Sequence, residues 1–266
     1  MPRLITAFSN PLVKQARALR DKKHRRREGL FLAEGLRILT EAREAGHLPQ
    51  LLFFNGAEPP HPLLRPLIHD TEAAGGEAIE TNADILSKLS GKDNPGVVIG
   101  VFAELPTDLA RLDRSKADLW IVAQSLRDPG NLGTILRTGD AVGAGGLILV
   151  DDCVDPFSVE AVRATMGALF TQRIATAAWP DFLAWLRAGE GELIGTSLDT
   201  DLDYQQPRYR PPAFILVGNE AQGLPPAYQA QCDTLVKIPM LGRAASLNAA
   251  VATAVMAYEV VNQCRR

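Results

Sequence analysis

Short apolar segments alternate with amphipathic ones along the first hundred residues. Continuous or alternating apolar runs predict strands at 30–33, 51–54 and 97–102, and apolar residues spaced three or four apart predict helices at 12–19, 35–45 and 83–89. Strands and helices of this length, packed on one another, predict a compact α/β module over residues 1–105.

The second half of the chain has strands of a different kind, because they are apolar at nearly every position. These segments are 119–123, 146–151, 192–196, 213–218 and 234–238, with helical patterns between them. Strands buried on both faces have this composition in parallel sheets. Strand–helix alternation therefore predicts an α/β fold with a mostly parallel sheet and a ligand at the carboxyl ends of its strands. The polar stretch 106–117 predicts a linker between a smaller domain, 1–105, and a larger one, 118–266.

Composition excludes several classes of protein. The chain has 266 residues, 46% of them hydrophobic and 22% charged, which is typical of a globular protein and not of a disordered, collagenous or coiled-coil chain. No apolar run approaches the roughly 18–20 residues that span a bilayer, and the first residues lack the apolar segment of a secretory signal. We therefore expect a soluble, cytoplasmic protein without a membrane partner.

Cysteine and histidine usage narrows the chemistry further. The three cysteines, Cys153, Cys232 and Cys264, are widely spaced and form no CxxC motif, so we expect neither a disulfide framework nor a thiolate zinc site. All four histidines lie in the first 69 residues. A nucleophile–histidine arrangement in the second half would therefore need a histidine from the other domain.

Charge is distributed unevenly, although the net charge of the whole chain is only −3. Residues 1–30 contain nine Lys and Arg against two acidic residues, whereas the remaining 236 residues contain 19 basic against 29 acidic ones. A basic element on an acidic body is typical of a protein that binds nucleic acid; a solvated helix face or loop is the alternative interpretation. The residues predicted to contact nucleic acid are Arg17, Lys22, Lys23, Arg25, Arg26 and Arg27.

A glycine-bearing segment follows the first apolar strand of the second half. Asp128 and Pro129 predict the N-cap and the first residue of a helix that ends near residue 142. Asn131 and Arg137 stand six residues apart on this helix, which turns them roughly 120° from alignment. These two side chains can therefore border one pocket without stacking on each other.

Neither glycine-rich stretch of the second half fits a nucleotide-binding fingerprint. The run 143–146 leads from helix into strand, the reverse of a dinucleotide-binding loop, and the segment 218–223 (GNEAQG) continues with Leu-Pro where a P-loop has Lys-Ser or Lys-Thr. The second segment does provide a glycine turn at the end of a strand, where a ligand can approach the backbone close to Glu220. A tight loop with an incidental Glu is the alternative interpretation.

A third segment, 238–248, joins the last apolar strand to the last helix. Ser246 is a plausible N-cap for this helix, which we expect to end near Cys264. Five alanines between residues 249 and 257 give the helix little bulk, so another backbone can approach it closely. Both a buried helix in one core and a subunit interface fit this composition.

The order and separation of these motifs resemble a known family. N-x-G-x(3)-R-T at 131–138, G-N-E-x(2)-G at 218–223 and I-P-M…S-L-N at 238–248 resemble the three motifs of the SpoU/TrmH RNA ribose 2′-O-methyltransferases, which belong to the SPOUT superfamily. The stretch RATMGA at 163–168 is similar to the family's R-x-S-x-G-A, with Thr in place of Ser. Residues 1–105, with SNPLVKQARAL and FLAEGLRILTEA, resemble its ribosomal-protein-like, RNA-binding substrate domain. One departure is GDAVG at 139–143, where many members have A-x-x-F-G.

This resemblance implies a C-terminal trefoil knot that binds S-adenosylmethionine in a homodimer, without a metal. It implies a cofactor pocket lined by Thr196, Ser197, Leu198, Gly218, Asn219, Gly223, Ile238, Met240 and Leu247. It also implies a methyl-acceptor site bordered by Asn131, Arg137, Glu220, Ser246 and Asn248.

Methyl transfer to a ribose hydroxyl is an in-line displacement, so the enzyme must align three atoms and assist loss of the hydroxyl proton. The resemblance gives Arg137 the central role, although a guanidinium that titrates above about 12 is a poor proton acceptor. Arg137 can instead clamp a phosphate beside the target ribose and orient its 2′-hydroxyl. Glu220 is the alternative acceptor, or it orients Arg137 or the Asn131 amide.

The substrate follows from the basic element and the extra N-terminal domain. We expect ribosomal RNA first and transfer RNA second, with no DNA partner, and a loop nucleotide in preference to a paired one. A non-catalytic RNA-binding or ribosome-binding protein of the same fold is the competing interpretation. A small-molecule methyltransferase is disfavoured by the basic element.

Overall fold

The computed structural model describes residues 2–56 and 61–265. It divides into two compact units. The first unit comprises the chain up to Leu105 together with Asp155–Thr171, and the second comprises Pro106–Val154 and the chain from Gln172 onward. The return of 155–171 to the first unit is a feature that the linker composition did not anticipate.

The described part of the chain forms helices and strands in alternation. The strands are β1 Arg3–Leu4, β2 Leu30–Glu34, β3 Leu51–Asn55, β4 Glu77–Thr81, β5 Val98–Ala103, β6 Leu119–Gln124, β7 Leu147–Val150, β8 Ile174–Ala177, β9 Glu192–Thr196, β10 Ala213–Val217 and β11 Thr234–Val236. The helices are α1 Pro11–Ala18, α2 Lys22–Glu28, α3 Leu36–Glu44, α4 Leu64–Ala73, α5 Ala83–Ser90, α6 Pro129–Val142, α7 Val159–Thr165, α8 Ala168–Thr171, α9 Trp179–Arg187, α10 Pro226–Gln229 and α11 Ala249–Cys264.

Every strand and helix that the pattern predicted is present, with ends shifted by two residues at most. Two of the elements that it missed have weak patterns of their own. The sequence of α2, KKHRRRE, has no apolar periodicity at all, and the sequence of β8, IATA, is too short and small to identify as a strand. Helix α4 and strand β4 were missed as well, although each buries apolar side chains.

The first unit contains a mixed five-stranded sheet in the order β1-β4-β3-β5-β2, within the residues described. The pairs β1–β4 and β3–β4 are parallel, whereas β5 runs antiparallel to β2 and β3. Four phenylalanines form part of its core. Phe31 lies 5.1 Å from Phe157, and Phe102 lies 5.0 Å from Phe170, measured between ring centroids. Because Phe157 and Phe170 belong to the returning segment, that segment is part of this core.

Ion pairs also hold the returning segment. The buried Arg25 donates from Nη2 to Asp155 Oδ2 at 2.6 Å and from Nη1 to the carbonyls of Leu19 and Arg20, both at 2.9 Å. Arg25 was predicted to contact RNA, and that prediction is wrong, because the side chain is only 3% exposed and its guanidinium is directed inward.

A second ion pair joins Glu34 on β2 to Arg163 on α7, at 2.5 Å between Oε2 and Nη2. Burial alone would raise the pKa of Glu34, but hydrogen bonds from the Gly96 N–H, from Arg163 and from Ser90 outweigh it and lower that pKa. The carboxylate therefore stays ionised inside the unit. Arg163 belongs to the R-x-S-x-G-A resemblance, and its role here is to bind the returning helix to the sheet.

The second unit is built on a six-stranded sheet in which all described neighbours are parallel, as predicted. The strand order is β11-β9-β10-β6-β7-β8. The strands β6, β7 and β10 are buried along their whole length, with Trp120 of β6 stacked on Phe214 of β10. Helix α11 packs against α6 and β10. The trefoil knot that the family resemblance implies stays a prediction.

Across the described ranges, none of the helices combines the length and the apolar composition that crossing a bilayer requires.

Candidate active site

Three loops meet at the carboxyl ends of β9, β10 and β11. They enclose a cavity of about 430 Å³. Ligands bind at this edge of parallel sheets, because the loops there are free of the packing that fixes the strands. The structure brings together around this cavity all nine residues that were predicted to line a cofactor pocket: Thr196, Ser197, Leu198, Gly218, Asn219, Gly223, Ile238, Met240 and Leu247.

The loop after β10 is a tight turn that requires glycine. A Cβ on Gly218 would clash with the backbone of Gly223 and Leu224, and Gly223 adopts a φ of +68°. The Asn219 side chain stabilises the same turn, since its Oδ1 accepts from the N–H groups of Ala221 (2.9 Å) and Gln222 (3.2 Å). A ligand in the cavity can therefore approach the backbone of this loop closely.

A chain of three side chains joins the motifs next to the cavity. Asn131 Nδ2 donates to Glu220 Oε1 at 3.0 Å, and Asn248 Nδ2 donates to Asn131 Oδ1 at 2.8 Å. Asn131 is buried and Glu220 is exposed. The orientation of the Asn131 amide is therefore fixed from both sides, and Oε2 of Glu220 accepts from the Arg127 N–H at 3.4 Å.

Glu220 is held as a carboxylate. Burial alone would raise its pKa, but the hydrogen bond from Asn131 and those from the backbone N–H groups of Glu220, Asp128 and Arg127 outweigh this and lower the pKa. Glu220 is thus a good hydrogen-bond acceptor and a weak base at neutral pH. Of the roles predicted for it, orientation of the Asn131 amide is the one with a contact in the structure.

Two helix N-termini position the asparagines. Asp128 caps α6, accepting from Asn131 N at 2.7 Å, and Pro129 is the first residue of the helix, as predicted. The cap of α11 differs from the prediction. Asn248, not Ser246, is the N-cap, because its Oδ1 accepts from the N–H groups of Ala250 (2.9 Å) and Val251 (3.3 Å). Ser246 is an exposed residue that lines the cavity.

Arg137 lies apart from this arrangement. It is on the exposed side of α6, six residues and therefore about 9 Å along the axis from Asn131, and it does not line the cavity. Its guanidinium makes no hydrogen bond or ion pair with any residue in the described ranges. Within this chain the structure brings together Asn131, Glu220 and Asn248, and leaves Arg137 facing solvent.

Gln229 of α10 is a site residue that sequence reasoning missed. Its Oε1 accepts from the Ser197 hydroxyl at 3.0 Å and its Nε2 donates to the Leu224 carbonyl at 2.9 Å. It therefore connects the loops after β9 and β10 across the cavity. An isolated Gln in a polar loop carries no signal that could have identified it.

The cysteines and possible metal ligands offer no competing chemistry. Burial raises the pKa of Cys153 to about 11 and that of Cys232 to about 12, so both thiols are protonated at neutral pH. Among the residues that the structure describes, no group of three or more His, Cys, Asp and Glu side chains could hold a metal ion.

The basic residues predicted to contact RNA lie in the first unit. Arg17 is on α1 and the others are on α2, which is a helix capped by Asp21 through the Lys23 N–H at 2.8 Å. Arg17, Lys22, Lys23, Arg26 and Arg27 are exposed, whereas Arg25 is buried. Arg27 is paired with its neighbour Glu28 at 2.8 Å.

Two family models match the chain. The model of the SpoU rRNA Methylase family matches residues 118–258, and that of the MRM3-like substrate binding domain matches residues 10–100. The first match covers the sheet and loops that form the cavity. The second covers most of the first unit.

Curated relatives and solved structures are similar over nearly the whole chain. A Streptomyces viridochromogenes protein named 23S rRNA (uridine(2479)-2′-O)-methyltransferase is 32% identical over 92% of this chain and 87% of its own length. The Bacillus subtilis 23S rRNA (guanosine(2553)-2′-O)-methyltransferase RlmP is 27% identical over 96% of this chain and 98% of its own. The crystal structure of an AdoMet-bound rRNA methyltransferase from Sinorhizobium meliloti superposes with a TM-score of 0.90 at 38% identity, covering 98% of this chain and 97% of that one.

Proposed function

The chain belongs to the SpoU rRNA methylase family, and on this basis we propose that it transfers a methyl group from S-adenosylmethionine to a ribose 2′-hydroxyl of 23S ribosomal RNA. The observation that carries this proposal is the convergence of three loops on one cavity beside the Glu220–Asn131–Asn248 chain. The names of two relatives, each a 23S rRNA 2′-O-methyltransferase, support the same substrate.

The cavity suits S-adenosylmethionine, which supplies an electrophilic methyl group on a sulfonium. Its volume of about 430 Å³ lies within the range of pockets that bind ligands of this size. The apolar side chains of Leu198, Ile238 and Leu247 can hold the adenine ring. The turn at Gly218 exposes backbone N–H and carbonyl groups to the polar groups of the cofactor. The nine residues of the predicted cofactor pocket would hold it.

The hydrogen-bonded side chains of Glu220, Asn131 and Asn248 act on the ribose that accepts the methyl group. Because Asn131 is fixed by Glu220 and Asn248, it presents one N–H and one lone pair in a set direction. Such a preorganised amide can orient the ribose hydroxyl for in-line attack at little entropic cost. Glu220 keeps the amide in place, and Ser246, at the rim, adds a further polar contact.

Arg137 clamps the RNA phosphate beside the target ribose and orients the 2′-hydroxyl. Its exposure and its lack of a partner among the described residues support this role, because the guanidinium is free to form a bidentate contact with a phosphate. As the oxygen–methyl bond forms, the carbon–sulfur bond breaks and leaves S-adenosylhomocysteine, while the hydroxyl proton passes to solvent water.

The domain at residues 1–105 binds the RNA substrate through its basic helices. The match to a substrate-binding domain supports this, as do the exposed cations of α1 and α2. Phosphate contacts of this kind position the RNA and carry no sequence information. The catalytic domain is residues 118–266, of which 155–171 pack with the first unit, and it is preceded by the linker 106–117, which packs with the second unit.

The enzyme is a homodimer of cytoplasmic chains. Helix α11 supports this assembly, because it contains one charged residue, Glu259, in 16 positions. Leu247, Val251 and Tyr258 recur at spacings of four and seven residues along the start and outer face of this helix, with exposures of 36%, 47% and 57%. A stripe of large exposed apolar side chains is typical of a protein interface.

The proposal is tested by incubating the protein with labelled S-adenosylmethionine and an unmodified 23S rRNA transcript, followed by mapping of the labelled nucleotide. The expected result is one labelled dinucleotide that resists alkali because its 2′-hydroxyl is methylated. Transfer RNA is tested in parallel. Label in tRNA alone would reassign the substrate, and no label in either RNA would refute the proposal.

A further inference from the structure

The first unit contains a second concavity, formed by the end of α1, the start of α2 and the first turn of α7. Its volume is about 540 Å³, which is enough for a nucleotide. We call it the α1–α2 groove, and the polar side chains that line it are Lys14, Arg17, Arg20, Asp21, His24 and Glu160.

Three cations of this groove have no partner among the residues that the structure describes. Lys14 and Arg17 stand three residues apart on α1. Their side chains therefore lie on one face of the helix, with Cβ atoms about 5–6 Å apart. Neither of them, nor Arg20, makes a hydrogen bond or ion pair with any residue of the described ranges. The arginines at 3, 25, 27, 43 and 163 in the same unit are paired with carboxylates. Free cations held side by side repel one another, and an anionic ligand removes that repulsion.

The Arg20 side chain lies beside the end of α5. Its guanidinium lies directly against Gly91 at the end of α5, leaving no room for a Cβ at that glycine. Gly91 has a φ of +75°, which caps α5 and favours glycine on its own account.

The groove also contains carboxylates, and these decide what kind of anion it accepts. Asp21 is engaged at the N-terminus of α2 through the Lys23 N–H. Glu160 is exposed and has no hydrogen bond or ion pair among the described residues. It would repel a free phosphate or an acidic peptide. A nucleotide satisfies both kinds of group, because its phosphates meet the cations while an amino group of its base donates to Glu160.

We propose that the α1–α2 groove binds one unpaired nucleotide of the RNA substrate whose base carries an amino group. Its flanking phosphates contact Lys14, Arg17 and Arg20, and its base lies against the half-buried ring of His24 with its amino group on Glu160. This inference rests on the proposed RNA methyltransferase function and adds the place where the substrate is recognised away from the methylated ribose. The groove thereby selects a looped region of the RNA over a duplex.

The test compares two full-length triple variants with equal charge change. The groove variant is Lys14→Gln, Arg17→Gln, Arg20→Gln, and the control is Arg37→Gln, Arg65→Gln, Lys88→Gln. The control residues are exposed helix residues of the same unit that also have no partners among the described residues. Circular dichroism and thermal unfolding check that each variant is folded; if the groove triple is not, the single variant Arg17→Gln replaces it.

Affinity for an unmodified 23S rRNA transcript is measured by filter binding at several salt concentrations, together with methyl-transfer kinetics. The groove variant should bind at least about tenfold more weakly near 150 mM salt, and its log–log salt slope should fall by about 2–3. Its KM for RNA should rise while kcat stays within about twofold. The control should match the wild type. Equal losses in both variants, or none in the groove variant, overturn the proposal.

The base preference is tested with single-stranded oligocytidine and oligouridine, since uracil lacks an amino group. The wild type should bind oligocytidine more tightly, and Glu160→Gln should reduce this difference without changing the salt slope. Equal binding of the two by the wild type overturns the role of Glu160. If the wild type fails to methylate any RNA, the proposed function fails instead, which the kinetic arm reveals independently of the groove variants.

Discussion

The cavity of the second unit and the groove of the first unit are built from opposite kinds of interaction. The cavity is bordered by glycine turns, amides and apolar side chains, and one of its two carboxylates, Glu220, accepts hydrogen bonds from an amide and two loop N–H groups. The groove is lined by cations that have no partner among the described residues.

This difference separates the two tasks of the protein. A cavity whose polar groups are already hydrogen-bonded holds a small ligand in a defined orientation, as a reaction at one atom requires. A surface of free cations attracts a polyanion over a distance and tolerates variation in its path. Chemistry and substrate capture therefore depend on different forces, and changes in solution conditions or sequence should affect them separately.

The largest expected effect is that of salt concentration, which should weaken RNA binding far more than binding of S-adenosylmethionine. Six cations of α1, α2 and the turn between them have no partner among the described residues: Lys14, Arg17, Arg20, Lys22, Lys23 and Arg26. If each contacts one phosphate, RNA affinity should fall about 10³-fold between 50 and 200 mM salt. Affinity for S-adenosylmethionine should change by less than about twofold over that range, because its site uses hydrogen bonds and apolar contacts. Filter binding measures the first and calorimetry the second. A parallel decline in both affinities would contradict the distinction.

Arg25 and Arg26 are neighbours on α2 with different roles, and their alanine variants distinguish a structural cation from an RNA-binding one. Arg25→Ala leaves Asp155 and two carbonyls without their donor, so the free energy of unfolding should fall by about 3–5 kcal/mol. Arg26→Ala, at an exposed position, should change it by less than about 0.5 kcal/mol. Urea unfolding measures both. Equal stabilities would show that the buried ion pair does not hold the returning segment.

Arg137 tests whether a cation of the second unit serves the reaction itself. Arg137→Ala should lower kcat/KM by at least about 10²-fold through loss of phosphate positioning, with an unchanged circular dichroism spectrum and unchanged affinity for S-adenosylmethionine. Arg208→Ala is the matched control, since Arg208 is another exposed arginine without a partner among the described residues. Full activity of the Arg137 variant would refute its role.

The smallest expected effect is that of substituting Glu220, measured as a change in kcat. Glu220→Gln keeps an oxygen for Asn131, so kcat should fall by less than about tenfold, whereas loss of a general base costs about 10²–10⁴-fold. The lowered pKa of Glu220 also means that the carboxylate is ionised above its ordinary value of 4.5 and is lost only as the pH falls below it. The pH–rate profiles of the wild type and of the variant should therefore have the same shape between pH 6 and 9, with no inflection that is present in the wild type and absent in the variant. Such an inflection would identify Glu220 as the base.

The sequence predicted the cavity better than the basic surface, and the reason is physical. Glycine turns and capping residues at the ends of apolar strands are constraints on local backbone, so the segments around Gly218 and Asp128 carry their own signal. The direction in which Arg25 points depends on Asp155, 130 residues away, and cannot be found from a run of basic residues.

Non-local partners also explain the smaller errors. Ser246 and Asn248 are both good capping residues, and the choice of Asn248 accompanies its second contact, to Asn131 on another helix. Gln229 joins two loops that only the fold brings together. The return of 155–171 depends on aromatic packing between Phe157 and Phe31, which no local pattern records.

The central claim is that the loops after β9, β10 and β11 form one binding site for the methyl donor. Calorimetric titration of the purified protein with S-adenosylmethionine tests it most directly, with Gly218→Ala as the paired variant, since a Cβ there meets the backbone of Gly223 and Leu224. Saturable uptake by the wild type and its loss in the variant are the expected results. No uptake by the wild type, or uptake that the substitution leaves unchanged, would contradict the claim.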